Sequence, residues 1–263
     1  MQQHSYWRTQ TPAQPLFPDI AWSKPEQRNL AGRLGIIGGN KLGFMGVAEG
    51  YSASLKAGIG EARALLPDAL KKTVPPVITD VIFAASNPSG GLAAEAITEM
   101  RVLGSWAQTT LLIGDAGKNS ETAILYETFI TDYEGPLVIA RDAVDLLRNN
   151  AELLLGRPHT LLIVSFAQLQ KLFQAIYFPK VLTFSMHLAQ LVDALHKFTL
   201  SYPVHVAVLH RETLIVASGG AVTTTPWGNP MALWRGTMPA TAAAFWTWNP
   251  TKPLEAITAS LLD

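Results

Sequence analysis

The sequence predicts an α/β protein: a mainly parallel central sheet with helices on both faces, and a late antiparallel hairpin at one edge. Three observations predict it. Short apolar runs alternate with amphipathic segments from about residue 33 to residue 200, and repeated strand–helix units of this kind build a parallel sheet that must be covered on both sides. Glycine-bearing turns follow several of the apolar runs. The rhythm then changes to three apolar runs in close succession between residues 204 and 225, the pattern of hairpin-linked strands.

The elements follow in order. Residues 1–30 carry Pro12, Pro15, Pro18 and Pro25 without a clear period. Proline fixes φ and removes a donor, so this segment reads as an irregular arm. Its aromatics Tyr6, Trp7, Phe17 and Trp22 either pack on the chain itself or reach a neighbouring subunit. "RLGIIGG" (33–39) is a buried strand closing in glycines, and "VAEGYSASLKAGIG" (47–60) a helix ended by Gly58 and Gly60. Val47, Tyr51 and Leu55 fall four apart in it, which places them on one face.

"TTLLIG" (109–114) is a strand, with Ser120 as the N-cap of a helix running to about Tyr133. "PLVIA" (136–140) leads into the helix "RDAVDLLRNNAELLL", "TLLIVS" (160–165) into "AQLQKLFQAI", and "KVLTFS" (180–185), read as a strand, into "MHLAQLVDALHKFTL". Strands at 204–210, 213–218 and 221–225 come next, with Gly219-Gly220 as a hairpin turn. Helices at roughly 239–248 and 253–262 end the chain. No repeat, low-complexity tract or internal linker divides residues 31–263, which read as one domain after the arm.

Composition sets limits. Hydrophobic residues make up 48% of the 263 and charged residues 15%, ample material for a core. Twenty basic and twenty acidic side chains cancel, which favours neither nucleic acid nor an anionic membrane as partner. The chain has no cysteine, so disulfides, thiolate metal sites and a cysteine nucleophile are excluded. No signal-peptide pattern and no run of about 18 apolar residues is present, and the expectation is a cytoplasmic protein.

Ligands of such sheets collect beyond the carboxyl ends of the strands, which directs attention to three turns. "GGNKLGFMG" (38–46) follows a strand and opens a helix. Its glycines suit either close approach to an anion or a tight turn. "GDAGKN" (114–119) partly resembles a P-loop, but the spacing before Lys118 is wrong and no Ser or Thr follows it. A turn with a helix cap is the simpler reading there.

"WGNPMALWRGTMP" (227–239) puts Gly236 and Thr237 ahead of a helix rich in small residues, where free amides favour a phosphate. Pro239 suits a first helical turn but removes one donor, and Arg235 is placed to supply a charge. The six histidines show no metal-ligand spacing, and no G-x-S-x-G elbow occurs. Trp227, Trp234, Trp246 and Trp248 suit either base stacking or a core.

Taken in order, these turns resemble the ribokinase-like superfamily, and within it the ADP/ATP-dependent NAD(P)H-hydrate dehydratases. The resemblance runs from about Gly32 to Leu262. "IIGGNKLGFMG" is similar to the family's first turn, with Gly38, Gly39, Asn40, Gly43, Phe44 and Gly46 in matching positions. "LLPDALKK" resembles the strand exit that follows it. "IGDAGKNSET" keeps Gly114, Glu121 and Thr122 of a later motif, and in "PLVIARDAVDLL" Asp142 matches the second of two aspartates while Ala140 replaces the first.

The family's T-P-H-P-G-E segment falls on "IVSFAQ" (163–168) with nothing kept. Its K-G-x-x-T falls on "HRET", keeping Thr213 and placing His210 where the lysine stands. Its G-N-P-G-L-A-T-G-G-T-G-D falls on "GNPMALWRGTMP", matching Gly228, Asn229, Pro230, Gly236 and Thr237. In the family the closing G-T-G-D forms an anion hole and its aspartate is the catalytic base. Pro239 stands at that position here.

The resemblance implies a three-layer ribokinase-like α/β/α sandwich. It assigns Thr213, Asn229, Gly236 and Thr237 to nucleotide phosphate, where Arg235, which does not match the motif, is read as a substitute charge, and Gly38, Gly39, Asn40, Gly43, Gly46 and Gly114 to substrate. It implies ADP or ATP with Mg²⁺ as cofactor, an NAD(P)-type ligand, a small-molecule nucleotide as partner and a homo-oligomer, with no metal site of the protein's own. With Pro239 in place of the base, Asp142 and Asp115 are the candidate substitutes. The expected activity is dehydration of hydrated NAD(P)H, weakened or lost. The alternatives are a non-catalytic nucleotide-binding or assembly protein (a pseudoenzyme) and a small-molecule kinase.

Overall fold

A computed structural model describes residues 5–263. The strands in chain order are β1 (Trp7–Thr9), β2 (Arg33–Gly38), β3 (Glu61–Pro67), β4 (Val81–Ala84), β5 (Thr109–Gly114), β6 (Leu137–Ala140), β7 (Thr160–Ser165), β8 (Val204–His210), β9 (Thr213–Ser218) and β10 (Ala221–Pro226). They form one ten-stranded sheet in the order β1-β10-β9-β8-β7-β6-β5-β2-β3-β4. From β8 to β4 every pairing is parallel, and β9 runs antiparallel to both β8 and β10. The two positive-φ glycines Gly219 and Gly220 make the β9–β10 turn.

The helices are α1 (Met45–Ala57), α2 (Ile97–Trp106), α3 (Ser120–Asp132), α4 (Asp142–Leu147), α5 (Ala151–Gly156), α6 (Phe166–Ala175), α7 (Leu188–Ser201), α8 (Met231–Arg235), α9 (Thr237–Trp248) and α10 (Pro253–Ala259). They divide between the faces of the sheet. One core packs α2 to α7 against Leu112, Ile139, Leu162 and Val206. The other packs α1, α9 and α10 against Ile36, Leu111, Ile113 and Ile163. Successive strand residues thus serve opposite layers, the side-chain alternation of a strand, and central strands such as β5 are buried along their whole length because helices cover both sides. This is the three-layer sandwich expected.

Sequence and structure part in several places. The arm is not wholly irregular: β1 pairs in parallel with β10 and becomes an edge of the sheet. Tyr6 stacks on His196, Trp7 donates its indole N–H to Thr224, and Arg8 lies over Phe17. Only Trp22 of the arm's four aromatics is fully outside, at 87% exposure.

Residues 180–185 form no strand. The place beside β7 is taken by β8, with Val204–Leu209 paired to Thr160–Ser165. Val181 and Phe184 are accordingly exposed, and Leu182 is buried with its carbonyl held by Gln170 Nε2 at 2.7 Å.

The cap of α3 is Asn119 and not Ser120: its Oδ1 accepts the amides of Glu121 and Thr122. Both residue types cap well, and the earlier one closes the turn. The helix read through 141–155 is broken at Arg148–Asn150, a single 3-10 turn between α4 and α5, where two asparagines compete with helical backbone bonding. Strands β3 and β4 and helices α2 and α8 complete the architecture.

Candidate functional site

The carboxyl ends of β2, β5, β6, β7, β8 and β10, with the start of β9, lie at one end of the sheet, as their registers require. Gly38, Gly114, Arg141, Ser165, His210, Thr213 and Pro226 therefore share that end.

The first turn is drawn tightly onto β5. A bulge after Ile37 pairs Gly38 with Gly114, and Gly39 N donates to Gly114 O at 2.8 Å. Asn40 is spent on the turn itself: its Oδ1 accepts Leu42 N at 2.7 Å and its Nδ2 donates to Asp115 O at 2.7 Å. Gly43 faces open space, and Gly46 lies buried in the first turn of α1.

The exit of β5 is held by Asp142. Its Oδ1 accepts Asp115 N at 2.7 Å and its Oδ2 accepts Gly117 N at 3.1 Å. Gly114 carries φ 86°, and a methyl there would lie 2.0 Å from Asp142 Oδ1, so glycine is required. Burial pushes the Asp142 carboxyl above its ordinary range, while the two amide donors pull the other way. Both of its oxygens are occupied by the protein, which suits a structural clamp and not a proton acceptor.

Asp115 is equally engaged. Its Oδ2 accepts Gly46 N at 2.5 Å and its Oδ1 is ion-paired with Arg141 Nη2. Arg141 is fixed from behind by Gln168, whose Nε2 donates to Arg141 O and to Asp145 Oδ2, each at 2.7 Å. Gln168 owes its own position to a reciprocal capping box with Ser165 at the start of α6.

The last turn closes against the first. Gly236, at φ 99°, ends α8 and caps α9. A methyl on it would lie 2.5 Å from Ile113 Cδ1 and 2.8 Å from Gly46 O. A methyl on Gly46 would in turn lie 2.7 Å from Arg141 Nη1. The Gly236 turn, the start of α1 and the Arg141 guanidinium thus converge on Gly46.

At the start of α9, Ala240 N bonds back to Gly236 O, and among the described residues the Thr237 and Met238 amides of the first turn have no backbone acceptor. Pro239 is buried in that turn and has neither an amide hydrogen nor a carboxylate.

Thr237 and Asn229 line a cavity of about 400 Å³ with Trp227, Met238, Thr241 and Ser260, within the size range of small-molecule sites. Thr213 lies beside it, because Trp227 N donates to Glu212 O at 2.8 Å. Arg235 is exposed at the end of α8, so the cation at the convergence point is Arg141. His210 is buried, with Nε2 3.1 Å from Met186 O and its ring 5.2 Å from that of Phe166. Trp246 is core, whereas Trp227 belongs to the cavity wall.

The structure therefore brings Gly38, Gly39, Asn40, Gly46, Gly114, Gly236 and Thr237 together, and sets Asn229 in the wall of the adjoining cavity, with Thr213 outside that wall next to Glu212. Sequence reasoning missed Arg141 and Gln168. The S-x-x-Q spacing of Ser165 and Gln168 is a readable capping signal; nothing in the sequence alone ties Arg141 to Asp115.

This sheet order, with helices in two layers and glycine turns at one end, is a ribokinase-like α/β fold. Scans against protein-family models and against curated proteins give no match. Solved structures do match. A ribokinase-like superfamily protein from Enterococcus faecalis V583 superposes with a TM-score of 0.72 at 14% identity, over 100% of this chain and 87% of that one. An ADP/ATP-dependent NAD(P)H-hydrate dehydratase from Bacillus subtilis, co-crystallized with ATP and Mg²⁺, gives 0.59 at 9% identity over 92% and 83%. A phosphomethylpyrimidine kinase from Clostridium difficile 630 gives 0.54 at 13% identity over 88% and 97%. The fold is thereby shown, and dehydratases and kinases both use it.

Proposed function

We propose that this chain is a divergent relative of the ADP/ATP-dependent NAD(P)H-hydrate dehydratases that keeps a nucleotide site at the start of α9 and has weakened or lost catalysis. One observation carries the reading. The Gly236 turn that starts α9 is packed on Gly46, while Pro239 stands where the family's base would be.

The residues fit a nucleotide phosphate. The Thr237 and Met238 amides are open at the positive end of α9, and the cavity beside Thr237 gives room for the rest of the molecule. Mg²⁺ would arrive on the nucleotide's own phosphates. When bound, Mg·ATP or Mg·ADP would supply the phosphoryl group for activating a substrate hydroxyl. The chain's part in that step is to orient the phosphate and to take a proton from the hydroxyl.

The second task is unprovided for. Asp115 is tied to Gly46 N and Arg141, and Asp142 to two backbone amides. Loss of a general base costs about 10²–10⁴-fold in rate. A small-molecule kinase on this fold needs the same proton transfer and meets the same deficit. The test pairs binding with turnover. Mg·ADP or Mg·ATP at 100 times its dissociation constant stabilises the fold by about 2.7 kcal/mol. Hydrated NADH incubated with the same nucleotide shows little or no recovery of absorbance at 340 nm. Absence of any thermal shift removes the binding half, and rapid recovery removes the catalytic half.

The resemblance to the dehydratase family also leads us to propose a homo-oligomer. Light scattering tests this: a mass of one chain contradicts it.

A further inference from the structure

The "GDAGKN" turn carries a lysine that the nucleotide site does not use. Lys118 lines a second cavity, of about 490 Å³, together with Gly117, Asp145, Arg148 and Lys171. No lining residue is shared with the cavity beside Thr237. Its three cations come from three separate elements: the β5–α3 turn, the 3-10 turn after α4, and α6.

The two carboxylates at this cavity keep their charge but have their hydrogen-bond partners within the protein. Asp142 holds the amides of Asp115 and Gly117, and Asp145 accepts from Gln168 Nε2 at 2.7 Å, with Arg148 Nη1 at 3.9 Å. Among the described residues Lys118 and Lys171 have no ion pair. The start of α3 is not the attraction, because Asn119 Oδ1 already takes the Glu121 and Thr122 amides. What remains is a concave surface on which three cations outnumber two carboxylates, with both ammonium groups outside any ion pair. The excess of cations, with the carboxylates already hydrogen-bonded within the protein, favours an incoming anion.

We propose that this cavity binds the phosphate groups of a phosphorylated small molecule, independently of the nucleotide site at α9. Lys118 and Lys171 act as point charges, and Arg148 offers its planar fork to phosphate oxygens.

Isothermal titration of the full chain with inorganic pyrophosphate at physiological salt tests the assignment. The wild type binds saturably. The double variant Lys118→Gln/Lys171→Gln loses about tenfold or more in affinity, the equivalent of one charge-assisted contact or more, and Lys118→Arg/Lys171→Arg restores it. The double variant Lys72→Gln/Lys252→Gln has the same net charge change at exposed positions elsewhere, and it binds as the wild type does. No saturable binding overturns the proposal, as does equal affinity of wild type and Lys118→Gln/Lys171→Gln. An equal loss in the Lys72→Gln/Lys252→Gln control also overturns it, by showing only a general charge effect. All four positions are exposed or on the cavity rim, and circular dichroism on each variant confirms that the fold is unchanged.

Discussion

Asp115 and Arg141 both occupy the left-handed half of backbone space, at φ 56° and φ 59°, and their side chains meet in an ion pair at the start of α1. Such backbone conformations cost about 1–3 kcal/mol each and persist only where the surroundings over-determine them. Here Asn40 and Asp142 hold the Asp115 backbone, and Gln168 holds that of Arg141. The pair is more than three-quarters buried on both sides, and it fills the place where the first and last turns converge.

Arg141 gives the first prediction. Arg141→Ala removes the pair, leaves Asp115 facing Gly46 N alone, and keeps a Cβ at a strained φ. Arg141→Gly removes the same pair but relieves the strain. We expect Arg141→Ala to lose about 2–3 kcal/mol and Arg141→Gly to be about 1 kcal/mol less damaging. Urea denaturation of both variants checks this; equal losses contradict the strain argument.

Gly236 gives the second. A methyl at this position meets Ile113 and Gly46 O inside van der Waals distance, at a φ of 99°. Gly236→Ala must push α9 away from α1, and we expect a loss of about 2–4 kcal/mol in stability together with the nucleotide-induced thermal shift. A variant with wild-type melting and an intact shift contradicts the packing described.

Pro239 gives the third. It sits in the first turn of α9, where an acidic side chain is favoured by the helix dipole. Pro239→Asp restores a carboxylate beside the open amides. The expected outcome is a measurable gain in absorbance recovery at 340 nm from hydrated NADH with Mg·ATP, about tenfold or more over wild type. A flat trace from a folded variant shows that more than the base has been lost.

The fourth concerns pH. His205 on β8 is mostly buried, bonded to Ser218 Oγ at 2.7 Å and edge-on to Trp246. Burial, with His159 adding to it, holds its pKa down at about 4, against 6.5 for a free imidazole. Above pH 6.5 the ring is neutral in both folded and unfolded chains, and its contribution is fully present. As pH falls from 6.5 toward 4 the unfolded chain takes a proton that the folded chain refuses, so stability declines by about 3 kcal/mol and levels off below 4. Melting curves between pH 4 and pH 8 check the slope, and His205→Gln flattens it over that window.

Much of the fold was legible because parallel strands under two helix layers become uninterrupted apolar runs, as in "TTLLIG" and "TLLIVS". "KVLTFS" misled for the same reason: it has strand composition, but β8 already occupies the neighbouring place in the sheet, a tertiary fact that local pattern does not carry. The three-residue β1 was hidden among prolines. At the site, the glycine turns were readable from spacing after strands. The Asp115–Arg141 pair joins residues 26 positions apart, and no local periodicity marks it. Arg235 looked like the natural cation beside Gly236, yet the turn at the end of α8 leaves it in solvent.

The central claim is that the open amides of Thr237 and Met238 receive the nucleotide's phosphate. It is tested most directly by titrating Mg·ADP into ¹⁵N-labelled protein and following the assigned amide resonances. We expect the Thr237 and Met238 signals to move together and saturate with the rest of the Gly236 turn. Saturable binding that leaves both signals in place contradicts it.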